Sequence, residues 1–251
     1  MFLTDPFFYL LAIPAVLVMG ISKTGFGGGL GILAVPMLSL VISPRQAAAI
    51  MLPLLCLTDL FGTWEFRRKW DVRNLKILIP AAIVGILFGT LSFHLLDTRK
   101  VQFLVGAIAV IFTMKYWFAR EPSSWVPMPP NIAKGAFWGA IAGFTSFVAH
   151  AGSPPVNVFL LPQKLNKSVF VATSIIFFAI VNYVKIIPYL SLGLFQRETL
   201  WAALILCPLV PLSTRLGKWL NQYVNEKQFY RITYVLLFLV GLKLMYDGVI
   251  G

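Results

Sequence analysis

Long apolar runs alternate with short basic segments along this chain. The uncharged runs are Phe7–Ser22, Thr24–Pro44, Ile77–Leu96, Gly135–Gln163, Ser168–Val184 and Thr199–Thr214. Several reach the roughly 17–25 residues that a helix needs to cross a bilayer. The pattern predicts helical spans at about 46–66, 77–96, 101–118, 168–189, 199–214 and 230–250. Two opening stretches do not fit a simple span. Residues 7–42 are too long for one, and Pro14, the glycines from Gly25 to Gly31, and Pro36 are expected to interrupt them. Residues 135–162 are similar, with breaks at Gly152, Pro154 and Pro155. Each reads as a helical hairpin that enters and leaves on one side, since irregular backbone at membrane depth survives only where protein or a cavity satisfies it.

The one polar linker is 120–134, REPSSWVPMPPNIAK, whose four prolines exclude a continuous helix. It divides the chain into 1–119 and 135–251. A shift of 123 residues places Gly20 on Gly143, Gly29 on Gly152, Ala49 on Ala172 and Asp59 on Asn182. An odd number of spans per half then inverts the second half against the first. The expected fold is an all-α polytopic membrane protein of two inverted repeats, each a broken, re-entrant helical hairpin plus three transmembrane helices. Glycines at 85 and 89, and at 135, 139 and 143, suit close helix packing.

Charge distribution agrees. With the N-terminus outside, segments 67–76, 115–134, 164–167 and 215–231 face the cytoplasm. They hold 14 of the 21 Lys and Arg residues, against Arg45, Arg99, Lys100 and Arg197 in the outside loops. If the second hairpin were a full span, this positive-inside bias would collapse. Composition excludes a soluble domain: 12% of residues are charged, where soluble domains carry about 25%. The net charge of +12 therefore marks topology rather than nucleic-acid binding. Asp5 precedes the first apolar run in place of a basic segment, so a cleavable signal peptide is not expected. Cys56 and Cys207 lie in apolar runs, and neither a disulfide, a metal site nor a cofactor is expected.

Two segments carry candidate chemistry. In Lys23-Thr-Gly-Phe-Gly-Gly-Gly-Leu-Gly31, the glycines permit an unwound helix whose N–H groups and dipole meet an anion, with Lys23 as a cation. Lys23, Thr24, Gly25, Gly27, Gly28 and Gly29 are the substrate-binding candidates there; the alternative is that the glycines only allow close packing. Leu30 breaks a dinucleotide fingerprint, and no Walker pattern is present. The matching segment of the second half offers Ser146, His150, Gly152, Ser153 and Asn157, with His150 either a proton relay or oxyanion donor, or bonded to a neighbouring helix. One central site between the hairpin tips is expected. Asp59 and Asn182 sit in apolar helices, where a carboxylate costs roughly 2.5–3.5 kcal/mol. Asp59 either carries a proton, as does His150, or pairs with Lys23. Lys185 either attracts an anion or snorkels outward, and Glu65 is expected at an interface.

The stretch HAGSPPVNVFLLPQKLNKSVFVATSIIFFAIVNYVKIIPY, together with GFGGGLGILAVPML and the alanine helix after it, resembles the TauE/SafE sulfite exporter family, also called the toluenesulfonate uptake permease family. The resemblance covers essentially the whole chain, and Ser153 stands where many relatives have glycine. It implies a secondary transporter of sulfite, a sulfonate or a related organosulfur anion in the bacterial cytoplasmic membrane, without ATP and often with proton coupling. An intramembrane enzyme or a non-transporting membrane subunit is the alternative. The enzyme is disfavoured by the lack of HExxH and of a close pair of membrane carboxylates.

Overall fold

The computed structural model describes residues 2–28, 31, 34–67, 69–93, 95, 98–118 and 127–250. Eleven α-helices follow one another, with no strand among the described residues: α1 (Pro6–Phe26), α2 (Ala34–Leu38), α3 (Pro44–Glu65), α4 (Val72–Leu91), α5 (Thr98–Phe118), α6 (Ile132–Ala149), α7 (Ser153–Leu160), α8 (Lys167–Ser191), α9 (Arg197–Leu206), α10 (Leu209–Tyr223) and α11 (Glu226–Ile250). Helix starts are marked by side chains that satisfy orphan N–H groups. Asp5 caps α1, Ser43 and Gln46 form a reciprocal box on α3, Asp71 accepts from Asn74 N at 2.8 Å, and Asn131 accepts from Lys134 N at 2.9 Å.

Five helices, α1, α3, α4, α8 and α11, are long and apolar enough to cross a membrane. α9 and α10 make a sixth span if taken together, bent by 49° at Cys207–Pro208. This corrects the single straight span expected over 199–214. Pro208 has no N–H and its ring obstructs the preceding turn, and the helix resumes and runs on to Tyr223. Arg215 and Lys218 therefore stand on α10 rather than in a loop. Pro14 and Pro36 also depart from expectation. Each lies within a helix, as do Pro53, Pro80 and Pro188, and the break in the first hairpin falls at Gly27 instead. Interior prolines are tolerated in membrane helices because neighbouring groups take up the freed carbonyls.

The chain packs as two compact units, each drawn from both sequence halves: residues 1–70 with 171–224, and residues 71–170 with 225–251. In the first, α1 lies along α10. Gly20 abuts Ser213, Gly25 abuts Gly217, and Asn221 Nδ2 donates to Gly25 O at 3.0 Å. Contacts ascend on both helices, so the two run parallel. Phe8, Met19, Leu38, Ile50, Leu54 and Val210 are among the buried side chains of their common core.

In the second unit α4 and α6 are also parallel: Gly139 meets Leu78, Gly143 meets Ala82 and Gly89 meets Phe147. α5 and α11 are antiparallel. Gly248 rests on Arg99 and Phe103, while Gly241 rests on Gly106 and Val110. The α6–α7 hairpin returns to its own starting end. Gly135 at the start of α6 faces Phe159 at the end of α7, and Met128 N donates to Pro162 O at 3.2 Å. α7 has eight residues, about 12 Å of helix at 1.5 Å per residue, against a hydrocarbon core of about 30 Å. At the same end Asn74 Nδ2 donates to Gln163 Oε1 at 2.9 Å, and Gln163 Nε2 donates to Asn74 Oδ1 at 3.0 Å. The start of α4 and both ends of the hairpin thus share one side.

Helix surfaces turn Leu10, Val84, Leu87, Ile187, Leu204 and Val249 outward. Such an apolar exterior belongs to a lipid solvent, which gives helices no hydrophobic reason to associate; small residues and close packing hold them instead. A Cβ built at Gly85 or Gly143 would collide with the carbonyl oxygen of Ala140 or Ala82. Gly85→Ala and Gly143→Ala are therefore expected to destabilise the protein by about 1–3 kcal/mol each. Gly193→Asn is the control, because Gly193 has φ +64 and open space around it, and asparagine tolerates that conformation. Thermal aggregation midpoints in detergent check this; equal midpoints for all three variants would remove the packing argument.

Candidate functional site

The end of α1 is built by its own sequence. Gly27 adopts φ 70 and Gly28 φ 98, values that favour glycine. The N–H groups of both residues turn back onto Ser22 O, that of Gly28 at 3.0 Å, so the left-handed turn satisfies a carbonyl at the end of the helix. These N–H groups therefore point into α1 rather than toward a ligand, and the dipole here is the negative end of a helix. Lys23, in the last turn, complements it. Gly29 lies outside the described residues.

One turn from that break, three predicted residues come together. Lys23 Nζ lies 2.6 Å from Asp59 Oδ1, and Asn182 Nδ2 donates to Asp59 Oδ2 at 2.7 Å. Lys23 Nζ is also 5.7 Å from the centroid of the Phe178 ring. Lys23 is 4% exposed, Asp59 0% and Asn182 2%. Both carboxylate oxygens are engaged, one by a cation and one by an amide donor. This is what a buried carboxylate requires if it is to stay ionised. Lys185, one turn after Asn182 on α8, is fully buried, which excludes snorkelling. Glu65, expected at an interface, pairs with Lys218 of α10.

Thr24 and Gly25 serve the α1–α10 contact. The Thr24 hydroxyl donates to Gly20 O at 2.8 Å, with Thr214 O at 3.1 Å, and a Cβ on Gly25 would come within 3.1 Å of Gly217 O.

The remaining candidates belong to the second unit. His150 caps α6 in the left-handed conformation, φ 50, uncommon for a residue with a Cβ. Its N–H donates to Ser146 O at 3.2 Å, and Ala151 N donates to Thr145 O at 3.1 Å. Thr145 Oγ1 closes the turn by donating to Ala151 O at 3.0 Å. Gly152 precedes α7, and Ser153, Pro154 and Pro155 begin it. The two prolines remove two N–H groups from the first turn, so this helix start has fewer backbone donors than the sequence pattern suggested. Asn157 lies one turn on. It is 0% exposed, and neither its Oδ1 nor its Nδ2 has a hydrogen-bond partner. Buried side-chain polar atoms are mostly satisfied, and an amide with both ends open is suited to a polar ligand.

Sequence reasoning missed the polar face of α10. Ser213, Thr214 and Asn221 are buried and serve α1. Ser174 was missed as well; it is buried on α8 with no partner for its hydroxyl. A lone serine in an apolar run leaves no pattern from which either role can be read.

These are the features of a membrane interior arranged to meet a polar solute: an ion pair with no exposure, a second buried lysine and open polar groups. A family model described as Sulfite exporter TauE/SafE matches residues 12–244, a range that takes in Lys23, Asp59, Asn157, Lys185 and both hairpins. No curated protein and no solved structure matches. The match spans nearly the whole chain and agrees with its apolar helices, so this multi-pass membrane protein belongs to the sulfite exporter TauE/SafE family of transporters.

Proposed function

We propose that the protein carries a small sulfur-containing anion, such as sulfite, a sulfonate or a related organosulfur anion, across the bacterial cytoplasmic membrane. The observation that carries this reading is the fully buried Lys23–Asp59–Asn182 cluster beside the break in α1. Ionisable groups inside a membrane are expensive and mark solute pathways. The proposed substrate-binding donors are Lys23 and Asn182 within the first unit and, separately, Ser146, His150, Ser153 and Asn157 within the second. The open amide of Asn157 supports its place among them. Asp59 and His150 are the proposed proton carriers, and no ATP-binding motif is required.

The proposed topology is a pair of inverted repeats with both hairpins re-entrant. Helix directions support it. With both hairpins returning to their own side and the other spans crossing, α1 and α10 run inward, α4 and α6 outward, α5 inward and α11 outward. This agrees with the two parallel pairs and the antiparallel pair. If both hairpins crossed, α5 and α11 would run the same way; if one crossed, α1 and α10 would oppose. The repeat itself is supported by matching turns. Ser22 and Thr145 each accept a bond from the N–H six residues on, that of Gly28 and of Ala151, and Gly27 and His150 are both left-handed. The same 123-residue separation relates Asp59 to Asn182, and equivalent residues of a two-fold pair meet only on its axis.

Four measurements test these proposals. Proteoliposomes are expected to show protein-dependent flux of at least one among sulfite, thiosulfate, sulfoacetate and taurine; no flux of any would end the transport reading. Asp59→Asn is expected to leave Lys23 buried without its counter-charge and to destabilise the protein by about 3–5 kcal/mol. Lys23→Met combined with Asp59→Asn should recover most of that loss. With flux normalised to folded protein, the response to a pH gradient should weaken in Asp59→Asn or His150→Ala. An undiminished response in both would remove these two as carriers. For topology, a cysteine at 70 should label only from the cytoplasmic side and one at 193 only from outside; labelling of 70 in intact cells would refute the re-entrant hairpins.

A further inference from the structure

Three helices of the second unit bring basic residues to one end. Gly135 of α6 lies between Ile77 of α4 and Phe159 of α7. Just beyond α7, Gln163 exchanges hydrogen bonds with Asn74 of α4 at 2.9 and 3.0 Å. The sequence neighbours of these contact residues are Arg73, Lys76, Lys134 and Lys164, and all four are exposed. Segments 71–77, 128–136 and 159–168 hold a single acid, Asp71, whose carboxylate caps α4 by accepting from Asn74 N at 2.8 Å. Lys164 holds φ 48, a conformation that glycine adopts at lower cost; the chain places a cation there.

What lies beyond these cations favours a lipid over a soluble anion. On α4, Arg73, Lys76, Pro80, Val84, Leu87 and Leu91 recur at spacings of three and four, and all six are exposed. Side chains so spaced share a helix face. That face is cationic over its first turn and apolar from there on. On α6 the exposed Lys134 is followed three residues later by the exposed Phe137. The two helices touch through their glycines, and Phe88 of α4, itself exposed, meets Phe144 of α6 with ring centroids 5.9 Å apart. The cations thus head an apolar seam. Val84 stands about 12 Å along the helix from Lys76, less than the roughly 15 Å of hydrocarbon in one leaflet. A headgroup held at Lys76 would leave its acyl chain beside Val84.

We propose that this end of the second unit binds an anionic phospholipid, with Arg73, Lys76 and Lys134 around the headgroup phosphate and an acyl chain along the α4–α6 seam. Basic groups between membrane helices at headgroup level recognise such phosphates, and a guanidinium can engage two phosphate oxygens at once. A free phosphate would gain only the charge contacts, whereas the lipid also covers the exposed apolar stripe. The proposal needs the chain to be a membrane protein and does not depend on what it transports.

The test uses the whole protein in a neutral detergent at low salt, with phosphatidylglycerol, phosphatidylcholine or inorganic phosphate added. Phosphatidylglycerol should raise the thermal aggregation midpoint and stay on the protein in native mass spectra; the other two should do neither. Each cation near an anionic headgroup is worth a factor of about five in binding. Arg73→Gln, Lys76→Gln and Lys134→Gln combined should therefore weaken phosphatidylglycerol binding about a hundredfold and leave the lipid-free midpoint unchanged. Lys227→Gln with Arg231→Gln, which removes cations from α11 instead, should keep most of the binding. Equal retention of phosphatidylcholine would overturn the proposal, as would undiminished binding in the triple variant or an equal loss in the α11 variant. Stabilisation by inorganic phosphate equal to that by phosphatidylglycerol would assign the cations to a soluble anion and overturn the lipid. If the triple variant does not fold, the wild-type lipid comparison and a salt series decide: phosphatidylglycerol binding unmoved by about 0.5 M salt, where such charges are screened, would also overturn it.

Discussion

A carboxylate without water must find its partners in the protein, and Asp59 finds both of its own. Lys23 arrives from α1 and Asn182 from α8, so three helices converge on one charged group. The cost of removing any one partner is steep, because an orphaned buried charge is worse than no charge. The pair therefore fixes where α1 ends. Lys23 must sit in the last turn, and the chain then leaves through Gly27 and Gly28, which adopt positive φ and close the helix on Ser22.

Helix packing obeys the same scarcity of alternatives. Lipid tails solvate leucine as well as a protein core does, so contact between helices comes from shape. Gly85, Gly139 and Gly143 let the backbones of α4 and α6 touch, while Gly20, Gly25 and Gly217 do the same for α1 and α10. The parallel sense of both pairs, taken with the antiparallel α5 and α11, supports re-entrant hairpins, because direction depends on how many times the chain has crossed.

Much of this was legible in the sequence, and the reasons differ by residue. Apolar run length revealed spans because bilayer thickness sets it. The 123-residue shift that aligned Asp59 with Asn182 picked out two residues that touch, since an isolated polar residue stands out in an apolar helix. The roles of Pro14 and Pro208 were not legible. One lies inside a helix and the other breaks one, a difference set by which neighbours take up the freed carbonyls. Nor could spacing show that the Gly27 and Gly28 N–H groups fold back onto Ser22, or that Lys185 has no route to the interface. The first depends on the backbone angles adopted at the two glycines, the second on how the helices pack around α8.

The two hairpins share a turn but differ in chemistry. Under the proposed 123-residue repeat, Lys23 is matched in sequence by Ser146, Gly27 by His150, and Asp59 by Asn182. The buried ion pair thus draws Lys23 and Asp59 from the first half, while the matching positions of the second half hold neutral groups. The same asymmetry explains why Pro154 and Pro155 are tolerable. They remove N–H groups from the start of α7, where Ser153 and Asn157 keep buried polar side chains. A backbone that repeats provides two similar breaks. Substituting neutral for charged residues in one of them keeps the count of buried charges low enough for the fold to survive, and leaves a single charged pair to be guarded against water.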